Sequence, residues 1–114
     1  MIKMYGIPNC DTIKKARKWL EAHRLDYEFH DYKKAGVAES DLKKWVKKAG
    51  WETLLNRKGT TWRKLDEKTR DSINEASAIK LMIEQPSMIK RPVLVAGKTL
   101  LVGFDEASYK KLKN

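Results

Sequence analysis

The chain has 114 residues and a formal net charge of +10, with 41% hydrophobic and 35% charged residues. That length suits one domain able to bury a core without disulfides or metal. Its one cysteine excludes an internal disulfide framework, a Cys-x-x-Cys redox pair and a cysteine-rich zinc site, and leaves a single reactive thiol or an inert buried one.

Residues 2–5 read as a short strand, and Gly6-Ile7-Pro8-Asn9 as a turn. Residues 11 to about 24 predict a helix whose inward positions, Ile13, Ala16, Leu20 and His23, recur at threes and fours. Residues 26–32 alternate as a second strand, with Tyr27, Phe29 and Asp31 on one face and Glu28, His30 and Tyr32 on the other. Ser40 is placed to cap a helix over 41–49, which Gly50 ends. Residues 51–56 suggest a helical turn, and 56–63 a polar segment around Gly59. Residues 74–85 predict a helix with Ala76, Ile79, Met82 and Ile83 inward, stopped by Pro86. Residues 93–95 and 99–102 form a hairpin signal across Ala96-Gly97-Lys98, and 105–113 a last helix.

The order is β-α-β, then helices, then β-β-α. A strand–helix–strand unit carries parallel strands, and the later hairpin adds antiparallel ones. The expectation is an α/β mixed sheet, with one domain over 1–114: a core of about 1–35 and 89–114 and a helical insertion of about 36–88.

Residues 1–57 carry 13 basic and 8 acidic side chains, and residues 58–114 carry 12 and 7. Each half is therefore +5, with no basic arm. The clusters around Lys14–Lys18 and Lys43–Lys48 fall on helices with apolar residues between the charges, which fits solvated faces rather than a nucleic-acid patch. The longest aliphatic run, Val93-Leu94-Val95-Ala96, is far too short to span a bilayer. No leader-like apolar stretch follows Met1. The expected compartment is the cytoplasm, where a lone thiol stays reduced.

Cys10 stands where a strand and turn meet a helix. A first helical turn has unpaired N–H groups and a positive dipole end, and both favour a thiolate. Lys14 and Lys15 add positive potential, whereas Asp11 opposes it. Position alone leaves a nucleophile and a small buried packing residue both open. The two histidines, His23 and His30, lie far from Cys10 in sequence and form no recognisable metal site with it. Arg91 precedes Pro92 at a strand start, where a guanidinium can grip an oxyanion. Arg57 lies in a basic loop after Leu54-Leu55.

Together, Tyr5-Gly6-Ile7-Pro8-Asn9-Cys10-Asp11-Thr12, Leu54-Leu55-Asn56-Arg57 and the run from Gln85-Pro86 through Arg91-Pro92-Val93-Leu94-Val95 resemble the ArsC/Spx family of thioredoxin-fold proteins. The resemblance is nearest to its small YffB-like subgroup and covers almost the whole chain. It implies a thioredoxin-like (glutaredoxin-like) fold with a helical insertion. It also implies a glutathione-dependent thiol oxidoreductase similar to glutaredoxin-coupled arsenate reductases. Cys10 matches the nucleophile, Arg57 and Arg91 match anion-binding arginines, and Pro92 matches the family's cis-proline. Asn9, Asp11, Thr12, Lys14 and Pro92 are the expected substrate-binding positions. Glutathione is the implied co-substrate, with no tightly bound cofactor and no metal. The implied partners are a small oxyanion or glutathione-linked thiol substrate and glutaredoxin, acting on a monomer. The chain departs from arsenate-reducing members at Gly6, where they carry histidine, and near Gly103 and Phe104, where they carry a third arginine. Spx-type members, which bind RNA polymerase, supply the alternative of a non-enzymatic regulatory module. Their usual Cys-x-x-Cys is absent, since Ile13 occupies the second cysteine's place.

Overall fold

A computed structural model describes residues 2–113. In chain order its elements begin β1 (Ile2–Gly6), α1 (Asp11–Ala22), β2 (Tyr27–Asp31), α2 (Tyr32–Ala35), α3 (Glu39–Ala49) and α4 (Trp51–Leu54). They continue α5 (Thr60–Arg63), α6 (Glu67–Asp71), α7 (Glu75–Glu84), β3 (Val93–Ala96), β4 (Thr99–Val102) and α8 (Glu106–Lys110). Two compact units emerge. One joins the residues up to Ala35 with those from Arg91 onward, and the other runs Gly36–Lys90.

The first unit is a four-stranded mixed sheet in the order β2-β1-β3-β4. β1 pairs parallel with β2, from Ile2 opposite Tyr27 to Gly6 opposite Asp31. It pairs antiparallel with β3, with Tyr5 opposite Val93, and β3 pairs antiparallel with β4. α1 lays Ile13, Ala16, Trp19 and Leu20 against Met4 and Leu94 of the sheet and Tyr109 of α8. Each such fully buried aliphatic side chain contributes about 1.5–3 kcal/mol.

The second unit is helical. α3 buries Leu42, Trp45 and Val46. A Pro86–Met88 3-10 turn follows α7. An isolated bridge ties Leu55 to Ile89, and around it the Asn56 N–H donates to the Met88 carbonyl and the Lys90 N–H to the Leu54 carbonyl, both at 2.7 Å. Among the described residues, no helix is long and apolar enough to cross a membrane.

Several local expectations need correction. α1 ends at Ala22, and Trp19 rather than His23 completes its buried face. His23 instead stacks on the Trp19 ring at 3.9 Å. α3 starts at Glu39 with Ala38 as its cap residue, so Ser40 lies inside the helix. The Leu42 N–H already bonds the Ala38 carbonyl, which places the first turn earlier. α7 buries Ala78 and Met82, whereas Ala76, Ile79 and Ile83 line an open groove beside Glu39 and Lys43. Its Asn74 cap forms a reciprocal box with Ser77. β2 ends at Asp31, and Tyr32 opens α2. Asp31 Oδ1 accepts from the Lys33 and Lys34 N–H groups at 3.1 and 3.3 Å, as a helix-capping side chain does.

Gly6 closes β1 against α1. A Cβ there would run into Ile13 Cδ1, with Phe29 Cε1 at 3.9 Å behind it. Because Ile13 is wholly buried, it has little room to turn aside. Gly6→Ala should cost about 1–3 kcal/mol by overpacking. Adding Ile13→Val, which deletes the obstructing methyl, should recover part of that loss in chemical denaturation. A double variant showing the full sum of the two single losses would contradict the contact.

Candidate functional site

Cys10 is the cap residue of α1, with extended backbone at φ −100° and ψ 131°. Its N–H reaches back to the Ile7 carbonyl at 3.4 Å, and its carbonyl receives the Lys14 N–H at 3.0 Å. The Ile7–Cys10 turn thus delivers the sulfur to the helix axis, half-buried. The thiol forms no cap bond of its own. The Ile13 and Thr12 N–H groups nonetheless face the sulfur and stabilise its charged form.

Arg91 reaches the same sulfur from the other end of the chain. Partial burial pushes the Cys10 thiol up. The Ile13 and Thr12 N–H groups, and then the hydrogen bond and charge of Arg91, pull it down further, so it ends below the ordinary thiol value. Arg91 is placed there by β3, whose Val93 pairs with Tyr5 of β1. The Arg91–Pro92 peptide is cis. The buried Pro92 accepts the Gly103 N–H at 2.8 Å through its carbonyl.

Tyr32 is the residue that sequence reasoning missed. It was expected in β2, on the face with Glu28 and His30. Instead it is wholly buried at the start of α2, where the positive charge of Arg91 acts on its hydroxyl. Burial holds its phenol well above the ordinary range against the opposing pull of Arg91, and the charge of Cys10 adds to the rise. The signal that could have found it is the capping pattern Asp31-Tyr32-Lys33-Lys34.

The remaining expected positions sort by exposure. Asn9, Asp11 and Lys14 are exposed, while Thr12 is half-buried and places its N–H at the sulfur. Arg57 belongs to the helical unit. Its guanidinium lies over the rings of Trp51 and Trp62, 5.7 and 5.6 Å from their centroids, which limits its freedom and leaves it exposed. Behind it, Asn56 Oδ1 accepts the Lys58 N–H at 3.1 Å, fixing the turn. The histidines serve packing: His23 Nδ1 bonds the Trp19 carbonyl at 2.8 Å, and His30 lies against Tyr5 with ring centroids 5.0 Å apart. Among the described residues, no three His, Cys, Asp or Glu side chains gather as metal ligands would.

A mixed sheet with a cysteine at the head of its first helix and a cis-proline at the start of β3 defines a glutaredoxin-like thioredoxin fold. The chain belongs to the ArsC family, whose model matches residues 5–112. Among solved structures it is similar to the YffB (PA3664) protein, with 52% identity, 97% of both chains covered and a TM-score of 0.94. It is also similar to an arsenate reductase (ArsC) related protein from Brucella melitensis, with 53% identity, 99% and 94% coverage and a TM-score of 0.79. The global transcriptional regulator Spx of Streptococcus mutans is 26% identical over 93% of this chain and 78% of its own.

A depressed thiol pKa means that thiolate persists to lower pH. The thiolate absorbance of the native protein should therefore titrate below the ordinary cysteine range. Arg91→Ala should move that midpoint upward, because it removes a positive charge and a donor while the α1 N–H groups remain. An unchanged midpoint in Arg91→Ala would remove Arg91 from the site.

Proposed function

We propose that the protein is a glutathione-dependent thiol oxidoreductase with Cys10 as its nucleophile. The single observation that carries this reading is the sulfur at the head of α1, faced by two backbone N–H groups and the Arg91 guanidinium. Membership of the ArsC family and the likeness to arsenate reductase-related proteins support it.

In the proposed cycle the Cys10 thiolate attacks the glutathione sulfur of a glutathione-linked disulfide. The Cys10–glutathione bond forms, the substrate disulfide breaks, and the substrate thiolate departs. The thiolate of a second glutathione, or of glutaredoxin, then attacks the glutathione sulfur of this mixed disulfide. That step releases oxidised glutathione, or glutathionylated glutaredoxin, and restores the Cys10 thiolate. With one cysteine in the chain, the resolving thiol must come from outside. Arg91 and the N–H groups of Thr12 and Ile13 stabilise sulfur charge whenever Cys10 leaves or attacks. Arg57, held over its two indoles, is the second anion-binding arginine that the resemblance implies.

A small oxyanion is the other substrate class the resemblance implies. Arsenate-reducing relatives carry a histidine at the position of Gly6. Here Ile13 fills the space a side chain would need, so that imidazole has no place. This favours the glutathione-linked thiol. A second reading, a partner-binding regulator, is supported by the likeness to the Streptococcus mutans Spx protein.

Glutathione-dependent turnover of a glutathionylated thiol should fall by on the order of 10³ or more in Cys10→Ser. Arg91→Ala should lower kcat/KM by about 10²–10³. Full turnover in Cys10→Ser would refute the enzymatic reading, and an absence of turnover in the native protein would leave the regulator.

A further inference from the structure

Arg57 is exposed, yet its guanidinium is not loose. Its central carbon stands over two indoles, 5.7 Å from the Trp51 ring centroid and 5.6 Å from that of Trp62. The rings come from either side in the chain, Trp51 from α4 and Trp62 from α5. Trp62 is buried and Trp51 half-buried, so both rings are anchored in the helical unit. The backbone between them is pinned as well. The Asn56 N–H donates to the Met88 carbonyl at 2.7 Å, and Asn56 Oδ1 accepts the Lys58 N–H at 3.1 Å. Gly59 lies close against the same amide, where a Cβ would come within 3.1 Å of Asn56 Nδ2.

An arginine has two kinds of attraction to offer. Aromatic faces draw its charge through their negative quadrupole, and carboxylates take its N–H edges in bidentate pairs. Arg57 uses the first and not the second. Among the described residues it makes no ion pair and no hydrogen bond to a carboxylate. From Trp51 to Lys64 the only acidic residue is Glu52, against Arg57, Lys58, Arg63 and Lys64. A surface arginine kept only for structure gains most from a carboxylate partner, whereas this one keeps its donors free. Because its rotamers are already restricted, it also loses less freedom when an anion binds.

We propose that Trp51 and Trp62 are positioning residues, their indole faces holding the Arg57 guanidinium so that its N–H edge receives a pair of anionic oxygens from a ligand. A glutathione-type carboxylate and a small inorganic oxyanion share that chemistry. The indoles act through Arg57 and do not themselves contact the ligand. The inference rests on Arg57 as an anion-binding arginine of the proposed function and adds the two rings that make it one. Its test is binding alone. Turnover that fails while the affinities hold would overturn the proposed function and leave this site standing, and affinities that fail while turnover persists would overturn this site alone.

The experiment is calorimetric titration of the native protein and variants with S-methylglutathione, which has no free thiol to react with Cys10, and separately with inorganic phosphate. Arg57→Ala should weaken binding about tenfold or more. Trp51→Leu and Trp62→Leu remove a ring face and keep an apolar side chain, and each should weaken it about three- to tenfold. Phenylalanine at either position should recover most of that loss. Trp51→Leu made in Arg57→Ala should add nothing. Loss in the S-methylglutathione arm assigns the site to a carboxylate and loss in the phosphate arm to an oxyanion, and either supports the proposal. Native affinity in Trp51→Leu with native circular dichroism would overturn it. So would a loss that phenylalanine does not recover, a loss that survives without Arg57, or a native protein that binds neither probe. Should the leucine variants fail to fold, the Arg57 Nε–H resonance of the native protein decides the matter. A ring-shielded resonance that moves on titration with either probe is expected, and an unshielded one that stays in place refutes the clamp.

Discussion

The site depends on one balance at the Cys10 sulfur. Partial burial makes a charge there costly, and nearby donors make it favourable. The donors prevail because they are fixed before any substrate arrives. Two are backbone N–H groups at the head of α1, which α1 leaves unpaired whatever its sequence. The third is Arg91, which carries a full charge and comes from eighty-one residues further along the chain. A site built from backbone donors and one cation needs little reorganisation when charge develops.

That meeting of distant segments is the work of the sheet. β1 sits between β2 and β3, so the turn after β1, the start of α2 after β2 and the entry to β3 all lie at one end. The register carries this through: Gly6 opposes Asp31, and Tyr5 opposes Val93. A slip of one residue in either pairing would turn the core face outward. It would also carry Arg91 or Tyr32 away from the sulfur. Gly6 permits the close approach of α1 to this end, because Ile13 occupies the volume that any larger residue there would claim.

The strands and α1 were legible because their apolar residues recur at the right periods and because the turns are marked by Gly, Pro and Asn. Cys10, Arg57 and Arg91 were legible as residue types in a spaced pattern. Tyr32 was not. The two capping bonds of Asp31 convert strand into helix, and strand alternation then assigns Tyr32 to the wrong face. α5 and α6 were missed for another reason: they are short, and α6 buries nothing, so no periodicity reveals them. The Trp51–Arg57–Trp62 stack escaped notice because its members lie on separate elements and meet only through the fold. The inward face of α7 was misjudged because the apolar count could not see that Ile79 and Ile83 face a groove.

The most direct test of a one-thiol cycle is to expose the native protein to oxidised glutathione near neutral pH and weigh the intact chain. The expected product carries one glutathione per chain, peptide mapping places it on Cys10, and excess reduced glutathione removes it. A chain that stays unmodified while its thiol remains titratable would contradict the proposal, as would an adduct that reduced glutathione cannot release.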